Sequence, residues 1–126
     1  MRSLLNLKVA LVIYGAIHIV QGIFLIVAPG RSVVFFDFEL LDNLLYFLHI
    51  IGATFIAAGV WFAMTGLDPL KNINGVRFAV LWAGLLLVIQ LYSVATGSIE
   101  FGQIWPGVVL NAIFTGAFLI FYPYRR

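Results

Sequence analysis

Four long apolar stretches follow one another along a chain of 126 residues, at 9–28, 44–65, 78–96 and 105–122. Each is close to the ~20 residues a helix needs to cross the ~30 Å hydrocarbon core of a bilayer. In lipid a spanning segment has to satisfy its own N–H and C=O groups, and an α-helix does so internally. The expected fold is therefore all-α: a polytopic membrane protein, one four-transmembrane-helix bundle over residues 1–126. The connecting segments are too short for a soluble catalytic domain. Composition points the same way, with 63% hydrophobic and 10% charged residues, where soluble domains are about half apolar and a quarter charged. A net charge of +2 from scattered basic residues gives no basic face for nucleic acid. The absence of cysteine excludes disulfides, thiol redox chemistry and Cys-ligated metals. The first stretch ends in Val27-Ala28-Pro29-Gly30, without a small-residue cleavage pattern, and reads as a spanning helix and not a leader.

An even number of spans places the N-terminus, the second connection and the C-terminus on one side. That side carries Arg2, Lys8, Lys71, Arg77, Arg125 and Arg126, whereas the other carries Arg31 alone. Basic residues close to helix ends favour the cytoplasm, so both termini are expected there. The outer connections are acidic, with Asp37, Glu39, Asp42 and Glu100. Pro29-Gly30 is expected to stop the first helix, Asp42-Asn43 to cap the second, and Trp105-Pro106 to open the fourth. Residues 31–41 are too apolar for water and too short to cross. They are expected to form a short amphipathic segment on the outer surface, or a face that another subunit covers.

Small residues four apart, Ala53 with Ala57, Ala79 with Ala83 and Ala112 with Gly116, are expected to bring helices together, since such pairs let backbones approach closely. The polar residues inside the spans carry more information. Counting ~1.5 Å per residue from the flanking charges puts Gln21, His49, Gln90 and Asn111 near one depth in the outer half, with His18 about a turn deeper. Tyr14, His18 and Gln21 share one helical stripe, and Tyr46, His49 and Ala53 share another. Gln90 lines up with Ser93 on the third helix, and Asn111 with Thr115 and Tyr122 on the fourth. Lipid offers such groups no partners, so these stripes are expected to face the bundle or a wet cavity. They form either an interhelical hydrogen-bond network or a ligand-binding layer made of His18, Gln21, His49, Gln90 and Asn111 with Tyr14 and Tyr46.

The ligand reading has several forms. His18 and His49 would be the axial imidazoles of a haem b, if tilt repaired a depth difference of about 5 Å. A quinone headgroup would bond His49, Gln90 or Tyr46. No metal site is expected, because no carboxylate lies at mid-membrane, and neither a Ser-His-Asp set nor a carboxylate pair assembles there. A faint internal repeat relates His18-Ile19-Val20 to His49-Ile50-Ile51.

The layout resembles small bacterial four-helix membrane proteins grouped as DoxX-like, and related families. The features that carry this are central Gly22 with closing Pro29-Gly30, the Gly- and Ala-rich run from Gly52 to Gly59, and the Asp68-Pro69-Leu70 to Arg77 turn before two further helices. The resemblance implies a bacterial cytoplasmic membrane location and a small subunit of a quinol- or thiol-linked oxidoreductase complex. It transfers no catalytic residue onto this chain. The expected function is an accessory or assembly subunit, or a homo-oligomer, in the lipid bilayer and without enzymatic chemistry of its own. The alternative is a membrane protein holding a quinone, haem or small amphiphile in the polar layer.

Overall fold

A computed structural model describes residues 2–29 and 42–124. Among them every regular element is helical: α1 (Arg2–Val27), α2 (Asp42–Leu67), α3 (Ile73–Ala95) and α4 (Phe101–Ile120). All four are long and apolar enough to cross a membrane. Each packs antiparallel against its neighbour in sequence, and α4 returns against α1, giving a ring in the order α1, α2, α3, α4. The chain start, the 68–72 turn and the end of α4 therefore share one end of the bundle, here the proximal end. The α1–α2 and α3–α4 connections lie at the distal end. The expected surface segment at 31–41 and the side chains of Asp42 and Asn43 fall outside the described residues.

Three helix starts fall well before the apolar runs expected to open them: α1 begins at Arg2, seven residues ahead of Val9, and α4 and α3 each begin four or five residues early. The first turn of α4 is Phe101–Ile104, so Trp105-Pro106 lies in its second turn. Glu100 is the N-cap, and its own backbone N–H donates to Gln103 Oε1 at 3.0 Å, so a cap and its third-position amide set the boundary. Pro106 has no N–H to give the carbonyl four residues back, which belongs to exposed Gly102 at the helix end. Similarly, α3 begins at Ile73 and takes Asn74, Gly75 and Arg77 into its first turns.

The closest packing is between α1 and α2, and it is made by backbone. A Cβ added to Gly15 would lie 2.5 Å from the Gly59 carbonyl oxygen, and one added to Gly59 would lie 2.5 Å from that of Gly15. Gly22 and Gly52 repeat the arrangement at 2.5 and 2.7 Å, and Gly66 meets the Lys8 carbonyl at 3.1 Å. These positions step by seven residues up one helix and seven down the other. Seven residues are nearly two turns, so the glycines stay on one seam. At each, a Cα hydrogen points where a side chain would be, toward the partner's carbonyl, the geometry of a weak Cα–H···O contact. Of the small-residue pairs four apart, Ala79 and Ala83 are fully buried, whereas Ala53, Ala57 and Ala112 remain exposed.

Side chains fill the rest of the bundle, mainly in its proximal half. Leu7, Leu11, Tyr14, Phe62, Val76, Ala79, Ala83 and Phe118 have no exposed surface. The Tyr14 ring stands 4.8 Å from Phe114, 5.3 Å from Phe118 and 5.4 Å from Phe62, so one residue of α1 touches aromatic rings of two other helices. Each such pair contributes about 0.5–1.5 kcal/mol beyond area burial in water. Arg77 Nε donates to Tyr122 Oη at 3.1 Å and ties the start of α3 to the segment after α4.

The glycine seam makes a contrast that can be measured. Gly59→Ala should lower the stability of the purified protein by about 1–3 kcal/mol, since the new methyl overpacks a backbone contact. Gly116→Ala, whose added Cβ meets nothing within 4 Å, should be neutral or gain up to about 1 kcal/mol from helix propensity. Thermal unfolding of both variants in one detergent checks this, and equal losses would contradict it.

Candidate functional site

Inward-facing polar side chains meet at the middle of the bundle, starting from Tyr14 on α1. This side chain is fully buried, so its hydroxyl hydrogen has to find an acceptor among protein atoms. It donates to Asn111 Oδ1 on α4 at 2.7 Å. That bond fixes the asparagine amide, whose Nδ2 then donates to Gln90 Oε1 on α3 at 3.2 Å. The donors in this chain all run in one direction, from α1 through α4 to α3. Gln90 in turn is left with its Nε2 amide group pointing away from Asn111, over Gly107, where an added Cβ would lie 2.7 Å from that nitrogen.

One turn along α1, His18 is also buried and makes two ring hydrogen bonds. Trp82 Nε1 on α3 lies 2.9 Å from His18 Nε2. An indole N–H only donates, so Nε2 is the acceptor and the ring hydrogen sits on Nδ1. Nδ1 accordingly donates to the Tyr14 carbonyl at 3.0 Å. Both nitrogens of a neutral imidazole are thereby used. The ring is held in place by Tyr14 at 4.3 Å, Phe55 at 5.0 Å and Phe62 at 5.7 Å.

The structure thus joins Tyr14, His18, Gln90 and Asn111 into one network with Trp82, spanning α1, α3 and α4. It does not bring the remaining candidates into it. Gln21 and His49 are half-buried and make no hydrogen bond to a described residue. Tyr46 is 65% exposed, with its ring against Phe47. The pairing of Gly15 with Gly59 puts Ile56 level with His18, and His49 seven residues further on, which is about 10 Å along the axis. Two axial imidazoles approach one iron from opposite faces at similar depth. His18 and His49 are not so placed, and His18 would have to release Trp82 to offer a lone pair. Among the described residues no three His, Asp or Glu side chains gather where they could hold a metal.

Trp82 is the member that sequence reasoning did not single out. A tryptophan in a spanning helix reads first as an interfacial or lipid-facing residue. Its signal was its position, five residues inside α3 from Arg77, where the indole N–H needs a protein acceptor. Two buried hydroxyl oxygens, Thr65 Oγ1 and Thr115 Oγ1, have no partner among the described residues. Thr65 occupies the space that a side chain at Gly75 would need.

Comparison with family models, with curated proteins and with solved structures finds no match to the chain. The geometry alone therefore bears on function. Interhelical hydrogen bonds in membranes average about 0.6 kcal/mol and reach about 2. A double-mutant cycle on His18→Leu and Trp82→Phe should give a coupling energy in that range, read from unfolding in detergent. Zero coupling would show that the two rings do not share a bond.

Proposed function

We propose that the chain is an integral membrane protein without enzymatic chemistry, acting as an accessory or assembly subunit that packs against other membrane proteins or against copies of itself. The observation that carries this reading is the use of both His18 ring nitrogens by Trp82 and the Tyr14 carbonyl. The mid-bundle polar groups hold helices to one another, and the most reactive of them has no lone pair left for a cofactor. Well-exposed apolar residues in mid-helix, such as Val20, Leu81 and Ile113, face outward on three helices, where lipid or a partner helix covers them. A redox-linked complex in a bacterial cytoplasmic membrane is the setting that the DoxX-like layout suggests. The clustering of basic residues at the proximal end supports a cytoplasmic position for both termini.

Extraction from native membranes in mild detergent, followed by native mass spectrometry, tests the proposal. The expected result is a species heavier than one chain with its lipid, containing a defined second subunit or an integral number of copies. A lone monomer under conditions that keep other membrane complexes intact would count against it.

A further inference from the structure

The one-way chain of donors has an end, and that end faces out of the core. Because Tyr14 has to give its hydrogen to Asn111, and Asn111 its amide hydrogen to Gln90, the Gln90 amide keeps both N–H groups for something else. Gln90 is half-buried, and among the described residues no acceptor takes them. Gly107 leaves room for that nitrogen; a Cβ there would stand 2.7 Å from it, so the amide would have to shift. An amide left without acceptors in hydrocarbon costs several kcal/mol. The position therefore calls for an acceptor oxygen.

Burial along the inward stripes shows the direction from which it comes. On α3, Val76, Ala79 and Ala83 are fully buried, and the next inward positions, Leu86, Gln90 and Ser93, are each partly exposed. On α1, Leu7, Leu11 and Tyr14 give way to half-buried Gln21 and Leu25. The interior opens toward the distal end. Helix α3 has 23 residues, about 35 Å of rise, so in a ~30 Å core its ends reach the polar layers. Gln90 lies five residues before Ala95, about 8 Å from the distal end and so about 5 Å inside the distal edge of the hydrocarbon, the edge at which the glycerol esters begin.

We infer that Gln90, seated over Gly107 between α3 and α4, binds the ester carbonyl oxygen of a bilayer lipid in the distal leaflet. Such an oxygen only accepts, matching an amide that has only donors left. The site stands whether or not the chain has protein partners.

The test uses the whole chain, labelled with side-chain ¹⁵N-glutamine, in nanodiscs of diacyl phosphatidylglycerol and of the dialkyl ether lipid with the same headgroup and chain length. Gln21→Leu and Gln103→Ala variants assign two of the three glutamine signals, leaving Gln90 unaltered and identified by difference. The Gln90 amide proton resonances are expected to shift between ester and ether lipid while those of Gln103 stay in place. Gly107→Ala should abolish the Gln90 difference, because the methyl displaces the amide. Identical Gln90 signals in the two lipids, as water or a protein group on the amide would give, overturn the inference. So does an ester-to-ether difference that Gly107→Ala leaves unchanged.

Discussion

Helices surrounded by lipid gain little from hiding apolar side chains against each other, because the tails outside are as apolar as leucine. What remains is close contact, and in this bundle the closest contact is backbone on backbone along α1 and α2. Five glycines at seven-residue steps let the backbones meet along that seam, with Ile19, Ile26 and Ile56 packed beside them. The consequence reaches beyond one helix pair. With Gly15 and Gly22 turned to α2, the adjacent stripe of α1, bearing Leu11, Tyr14 and His18, is turned to the bundle axis. The register of the seam also decides which rings of α2, Phe55 and Phe62, wall the histidine.

The polar network depends on that orientation and adds what glycine contacts cannot. Backbone contact brings helices close but distinguishes partners poorly, whereas a buried hydroxyl or imidazole accepts few neighbours. Tyr14 selects Asn111 on α4, and His18 selects Trp82 across the ring on α3. Few of these bonds need be strong, since an incorrect arrangement leaves a donor in hydrocarbon. At the His18 end both ring nitrogens are taken, whereas at the Gln90 end the amide hydrogens meet no acceptor among the described residues.

Much of this was legible in the residues, for reasons that also explain the omissions. Long apolar runs define spanning helices because the bilayer sets their length, and the inward facing of Tyr14, His18 and Asn111 followed from polar residues at helical spacing. Depth counted from flanking charges placed Gln90 and Asn111 together, and they bond. It placed Gln21 and His49 with them as well, yet neither joins the network, because depth carries no information on rotation or on which helices adjoin. The glycine seam was present in the sequence at positions 15, 22, 52, 59 and 66, but pairs four apart were the expected pattern. A seven-residue step identifies a seam only once a second helix is seen to match it in reverse. The start of α4 depended on a cap at Glu100 that the more conspicuous Trp105-Pro106 obscured.

The bundle is built on direct backbone contact in one register between α1 and α2, and this can be observed without altering the chain. Solid-state NMR on protein labelled only at glycine, with ¹³C at carbonyl carbons in one pool and at α-carbons in another, reports which glycines adjoin in a bilayer. Cross-peaks pairing Gly15 with Gly59 and Gly22 with Gly52 are the predicted result. Their absence, or cross-peaks joining Gly15 to Gly52 or Gly66, would contradict the register, and with it the placement of Tyr14 and His18 on which the site is built.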